Sequence, residues 1–300
     1  MKILISGASG LVGAALTKMF RAEGHAVAHF VRPGGAVAPG DIAWDPATAN
    51  VDVAAMEGAD AVIHLSGASI GDGRWSAARK AILRSSRVDS TRLLVDALGK
   101  MRRKPRVFLC ASAIGFYGNR GEEILTEESE RGIGFLPLVA RDWEAEALRA
   151  EAIGIRTVRM RLGVILAAEG GALPQMIVPF KFGVGGRLGS GRQWMSWIAL
   201  EDVAGVIRAM AGDERFSGAV NLVAPNPVQN DEFTRVLARV LRRPAIFPAP
   251  AFALRLALGE MADALLLTSQ RVLPARLVAA AYPFRYADLL DALNGILAKK

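Results

Sequence analysis

Lys2-Ile3-Leu4-Ile5-Ser6-Gly7-Ala8-Ser9-Gly10-Leu11-Val12-Gly13 is the stretch that decides how this chain folds. Its first five residues are a short apolar run of the kind buried in parallel sheets. Three glycines follow at G-x-x-G-x-x-G spacing, and residues 11–23 carry apolar side chains at helical spacing until Gly24 stops them. A strand, a glycine loop and a helix in that order make a phosphate-binding turn. Gly7 permits the tight turn, Gly10 lets backbone approach a pyrophosphate, and Gly13 lets helix pack on strand. The helix start adds unpaired N–H groups and the positive end of its dipole. Ser9, Leu11 and Val12 complete the loop expected along the nucleotide.

Outward from this loop, strands are predicted over 26–31, 59–65, 106–111, 155–162 and 219–223. Helices are predicted over 75–98, 139–152 and 201–211. Such alternation predicts an α/β fold, a doubly wound parallel sheet of Rossmann type with right-handed crossovers. Glycines crowd the sequence from Gly163 to Gly191, and prolines punctuate it between Pro225 and Pro250. The change predicts a smaller C-terminal lobe. Residues 1–165, with 196–225 returning to them, form the expected dinucleotide-binding domain; 166–195 and 226–300 form the expected cap. Residues 254–267 show an apolar helical stripe and are expected in the core.

The end of the second strand selects the cofactor. An NAD site places an acid there for the ribose hydroxyls, whereas an arginine pairs with a 2′-phosphate. The sequence reads His29-Phe30-Val31-Arg32-Pro33, with no acid between Ala26 and Gly40. Arg32 therefore predicts NADP(H) over NAD(H). Ligands of open parallel sheets bind outside the C-terminal ends of the strands. Leu65, Ser66, Gly67 and Ala111 sit at such ends and are expected cofactor contacts, with Ser112 and Tyr117 as candidate catalytic hydroxyls. Residues 183–194 hold five glycines and two arginines. Arg187 and Arg192 are expected to clamp an anionic group of a small-molecule substrate, and Trp194 to stack on it.

Composition excludes several other classes. Hydrophobic residues make up 52 % of 300, which rules out disorder. The single Cys110 rules out a disulfide framework, and His25, His29 and His64 lack the clustering of a metal site. Lys+Arg exceed Asp+Glu by 37 to 29, giving +8. That excess suits nucleic acid, an anionic membrane or a phosphorylated ligand. The densest basic cluster, Arg102-Arg103-Lys104-Pro105-Arg106, contains no aromatic for base stacking, so no nucleic acid is expected. The apolar stretch over 245–267 is interrupted by Pro248, Pro250, Arg255, Glu260 and Asp263, so no membrane span is expected either. The start of the chain does not read as a signal peptide, and a lone cysteine suits the cytoplasm.

The chain resembles the extended and atypical short-chain dehydrogenase/reductases. The carrying residues are Gly7, Gly10 and Gly13, Asp60-Ala61-Val62-Ile63-His64-Leu65-Ser66-Gly67, and Ala111-Ser112-Ala113-Ile114-Gly115-Phe116-Tyr117-Gly118. More narrowly it resembles a bacterial epimerase-like family with a short C-terminal domain of unknown function. Asp142-Trp143-Glu144, Arg161-Leu162-Gly163, Gly170-Gly171-Ala172-Leu173 and the block from Gly189 to Ile198 carry that likeness. The superfamily's acid–base chemistry uses Ser or Thr, a Tyr, and a Lys four residues later, whose charge lowers the phenol pKa. This chain departs from it. Four residues beyond Tyr117, Tyr282 and Tyr286 stand Gly121, Tyr286 and Leu290. Aligning Glu144 or Glu146 with the superfamily's downstream acid leaves leucine at the tyrosine position and Ala140 or Asp142 at the lysine. Two expectations stay open: an NADP(H)-binding oxidoreductase or nucleotide-sugar epimerase-like enzyme using other groups, or a catalytically silent NADP(H)-binding regulator.

Overall fold

Ile3 and Ile5 face one layer of helices and Leu4 the other, and all three are fully buried. This both-sided burial is why the first strand reads as a continuous apolar run. The structure, a computed structural model, describes residues 1–298. Its first part runs β1 (Lys2–Ser6), α1 (Leu11–Ala22), β2 (Ala26–Val31), β3 (Ile42–Asp45), β4 (Asn50–Val51), α2 (Val53–Met56) and β5 (Ala61–His64). Next come α3 (Ala77–Lys100), β6 (Val107–Ala113), β7 (Ile124–Leu125), α4 (Phe135–Leu148), β8 (Arg156–Leu162) and β9 (Val164–Leu166). There follow α5 (Ala172–Lys181), β10 (Trp194–Met195), β11 (Trp197–Ala199), α6 (Leu200–Gly212) and β12 (Gly218–Leu222). The chain ends through β13 (Val228–Gln229), α7 (Asn230–Leu241), α8 (Ala251–Leu258), β14 (Arg271–Val272), α9 (Ala275–Ala279) and α10 (Leu289–Leu297).

The main sheet has the order β12-β8-β6-β5-β1-β2-β3-β4 and is parallel apart from the β3–β4 edge. The chain winds outward in both directions from β1, so the switch point lies between β1 and β5. Helices α1 and α6 cover one face through Leu16, Phe20, Val203 and Ile207; α3 and α4 cover the other through Leu94, Leu98, Trp143 and Ala147. This is the doubly wound α/β architecture expected from the alternation.

Some boundaries differ for local reasons. Helix α3 starts at Ala77 because Ser76 caps it, its Oγ accepting from Arg79 N–H. Helix α4 starts at Phe135, earlier than 139, because Pro137 falls in the first turn, where its missing N–H is harmless. The 254–267 segment is corrected more substantially: only its Met261 and Ala262 are buried. Helix α8 holds no buried residue, and Phe252 and Leu256 are 72 % and 77 % exposed. The second core is instead built by α5, α7 and α10 through Leu173, Phe180, Phe233, Leu237 and Leu293. Residues after 270 also turn back. Strand β14 pairs with β7, and Leu277 joins the core beneath α6. Residues 299–300 of the expected cap lie outside the described residues. Among the described residues no helix is long and apolar enough to cross a membrane, and no three His, Cys, Asp or Glu gather as a metal site would require.

Candidate functional site

The glycine loop closes tightly at two of its three glycines. Gly7 has φ +70°, and a Cβ there would lie 2.9 Å from the Leu65 carbonyl carbon. At Gly13 a Cβ would lie 2.3 Å from the Gly7 carbonyl oxygen. Gly10 is different: it is exposed, and a Cβ there meets one atom, the Gly7 oxygen at 3.3 Å. Two glycines thus serve packing, and the third, with a single close neighbour, is exposed before the start of α1. That helix has no acid in its first turn and no side-chain cap, so its terminal N–H groups stay available to an anion. Ser9 is exposed there, and Leu11 and Val12 are half-buried. Gly170 and Gly171, in the turn before α5, pack over Leu11.

Across the switch point, Leu65 N–H donates to the Ser6 carbonyl and to Ser6 Oγ. This brings Leu65 and Ser66 against Gly7. Gly67 is exposed, and a Cβ on it would meet the Arg87 guanidinium at 3.2 Å. Arg87 holds this turn by donating to the Ala68 carbonyl, and burial pulls its pKa down to about 10. Arg32 is exposed at the end of β2 and makes no ion pair among the described residues. Asp41, the acid that follows, is occupied: it accepts from His29 N–H and Ala38 N–H. Ala111 is 4 % exposed, its side chain among the core residues of the α3 face.

His64, at the end of β5, is fully buried between Ser6 and Ser90, and burial pulls its pKa down to about 3. An unfolded histidine takes a proton below about pH 6.5 while this one does not. Its contribution to stability is therefore complete above that pH and is lost as pH falls toward 3. At pH 5 the expected loss is about 2 kcal/mol, measured by denaturant unfolding, and His64→Gln should flatten that slope. An unchanged slope in the variant would refute the assignment.

Ser112 and Tyr117 require correction as proton-transfer groups. Tyr117 is fully buried; its hydroxyl donates to Asn221 Oδ1 at 2.7 Å and accepts from Arg161 at 2.8 Å. Burial, outweighing Arg161, raises its pKa above the ordinary phenol value, the reverse of what catalysis needs. Ser112, 2 % exposed, donates to Glu144 Oε1 at 2.7 Å. Glu144 itself accepts from Arg161 Nε and Nη2, a bidentate pair at 2.8 and 3.0 Å, and from Arg159 at 3.1 Å. Arg161 stacks on Phe116 at 3.6 Å. These groups form one buried network at the ends of β6, β8 and β12, and neither hydroxyl opens onto a cleft. The sequence held no clear signal for it: α4 also carries Arg141, Asp142 and Glu146, and β8 also carries Arg156 and Arg159, so Glu144 and Arg161 do not stand out from exposed charges.

A groove of about 330 Å³ lies between the start of α4 and residues 255–270. Ile133, Phe135, Leu136 and Pro137 form one wall, and Arg255, Asp263 and Leu267 belong to the other. Nothing in the sequence order pairs these segments. None of Arg187, Arg192 and Trp194 lines this groove. Arg187 and Arg192 are exposed, with no ion pair among the described residues, in a turn whose Gly189 packs on Leu267. Trp194 is not free to stack on a ligand on its Arg271 side: that guanidinium lies 4.3 Å from its ring, and its Nε1 donates to Glu122.

Comparison with known proteins places the chain in a family. The NAD dependent epimerase/dehydratase family matches residues 3–223, and a domain of unknown function, DUF1731, matches residues 249–296. Epimerase family protein YfhF of Bacillus subtilis is 39 % identical over all of this chain and 99 % of its own. Epimerase family protein SDR39U1 of Homo sapiens is 32 % identical over 99 % of this chain and 100 % of its own. The crystal structure of human SDR39U1 (isoform 2) with NADPH is similar at a TM-score of 0.91 and 30 % identity, covering both chains fully. MoeE5 in complex with UDP-glucose and NAD, at a TM-score of 0.77 and 17 % identity over 99 % of this chain and 98 % of its own, shares the fold alone.

Proposed function

Because the chain belongs to the NAD dependent epimerase/dehydratase family, we propose that it is an NADP(H)-binding, epimerase-like oxidoreductase working without the superfamily's tyrosine and lysine. The observation that carries this reading is a pair of features. Gly10 leaves room for phosphate at the start of α1, and Arg32 is a cation at the end of β2 that makes no ion pair among the described residues, with no competing acid beside it. Gly7 and Gly13 shape the cradle, Leu65, Ser66 and Gly67 border it, and Arg32 holds the 2′-phosphate. Bound there, NADP(H) supplies or accepts a hydride. The groove beneath residues 255–270 holds the small molecule and shields it from water. The cytoplasm is the proposed compartment, where the buried Cys110 thiol stays reduced.

Arg32→Ala tests the reading. An arginine–phosphate contact contributes about 1.5–3 kcal/mol, so NADPH affinity should fall about 10- to 100-fold while NADH affinity holds. Fluorescence titration of both nucleotides measures this. Tighter binding of NADH, indifferent to Arg32→Ala, would sink the proposal. A second reading, catalytic silence, draws on the buried Ser112 and Tyr117 hydroxyls and on the leucines Leu136 and Leu138 at the tyrosine alternatives. Nucleotide binding with no turnover across carbonyl and nucleotide-sugar panels supports that second reading. Turnover decides for the first.

A further inference from the structure

We infer that the groove beside α4 takes an uncharged, apolar-bodied small molecule and not a nucleoside-diphosphate sugar. The inference rests on the groove being the substrate end of the proposed nucleotide site. A pyrophosphate is held by free backbone N–H groups or unspent cations and is repelled by neighbouring carboxylates. Of the residues lining the groove, Arg255 is the one cation, and its guanidinium is already held by Asp263 at 2.9–3.1 Å. Glu260, also in the lining, takes Lys80, the next cation along that rim. The lining itself therefore carries one positive and two negative side chains. Arg74, beside Gly259, is exposed and outside the lining.

The remaining features fit a neutral ligand. Helix α4 begins in the wall, uncapped and with no acid in its first turn. Its first turn holds Pro137, which has no N–H to offer, so fewer donors face the groove than at the start of α1, and two acids stand beside it; a carbonyl oxygen suits it better than a pyrophosphate. Ile133, on the rim, is 95 % exposed, with Phe135, Leu136, Pro137 and Leu267 continuing the apolar surface inward. An isoleucine so fully solvated contributes nothing to the core, and an apolar ligand would cover it. Thr268 and the Asn119 amide nitrogen, in the same lining, offer hydrogen-bonding groups; Asn119 Oδ1 already accepts from Ser269 N–H. A cavity near 330 Å³ sits at the small end of ligand sites.

The test is calorimetric titration of the full chain with 2-decalone, a neutral bicyclic ketone, and with UDP-glucose, each with and without saturating NADP⁺. The ketone should bind saturably below about 1 mM while UDP-glucose does not. Ile133→Asp should weaken the ketone at least about fivefold without moving the unfolding midpoint, because the residue packs on nothing. Asp263→Asn frees Arg255 and should raise UDP-glucose affinity at least about tenfold. Saturable UDP-glucose binding in the unmodified chain, lost in Arg255→Ala, overturns the inference. So does ketone binding that is absent or ignores Ile133→Asp. Failure of NADPH itself to bind, with the ketone and Ile133→Asp results as expected, refutes the nucleotide reading and leaves the groove's chemistry standing.

Discussion

Gly13→Ala is expected to lower stability by about 1–3 kcal/mol and NADPH affinity at least about 100-fold. The added Cβ would lie 2.3 Å from the Gly7 oxygen and 2.7 Å from the Ala8 Cα, both backbone atoms. Neither can rotate away, so α1 must shift from β1, and the phosphate cradle shifts with it. Gly10→Ala separates folding from binding. Its Cβ has 3.3 Å to its nearest neighbour, so stability should change by no more than about 1 kcal/mol, the scale of a changed helix cap. Yet that methyl occupies the space left before the helix start, and nucleotide affinity should fall as steeply as in Gly13→Ala. Denaturant unfolding and NADPH fluorescence read the two effects independently. Undiminished NADPH binding by Gly10→Ala would place the phosphates elsewhere.

Glu144→Ala should be the most destabilising single change at the site. Removing the carboxylate strands Arg161, which is 4 % exposed, and also takes the acceptor from Ser112 and Arg159. Breaking one side of a buried ion pair costs about 3–5 kcal/mol. Glu146, two residues on, provides the contrast. It bonds Arg92 and Arg149 at 2.7 and 2.9 Å, but both arginines are about half exposed. Exposed pairs contribute about 1 kcal/mol or less. Glu146→Ala should therefore be mild although its ion pairs are equally short. Equal losses in the two variants would mean that burial is not what gives the Glu144 network its weight.

The fold was legible, and a nucleotide end could be expected, because their signals are local. Gly7, Gly10 and Gly13 lie within one turn of chain, and Arg32 is read by its place after a strand. The buried network was not legible, because Tyr117 meets Asn221 across 104 residues and Ser112 meets Glu144 across 32. A tyrosine beside a glycine loop reads as a catalytic candidate until its surroundings are known. The 254–267 stripe misled for a related reason: periodicity shows that a helix has an apolar face but not what lies against it. Helix α7 was missed although Asp231 and Glu232 open it and Phe233 and Leu237 share its buried stripe. The groove had no sequence signature, since its walls come from segments more than 100 residues apart.

The return of the chain after residue 270 has a consequence for modularity. Strand β14 is paired to β7, Ser269 Oγ donates to the Gly121 carbonyl, and Gln270 Nε2 donates to the Ile114 and Gly118 carbonyls. Asn221, inside the main sheet, donates to the Leu273 carbonyl. The C-terminal segment is thus stitched into the half that carries the nucleotide loop. It is not a cassette that can be swapped between relatives or expressed alone, and a chimaera joined near residue 249 would have to rebuild these seams. The two halves should melt in one transition, and shuffling experiments in this family should move whole chains rather than tails.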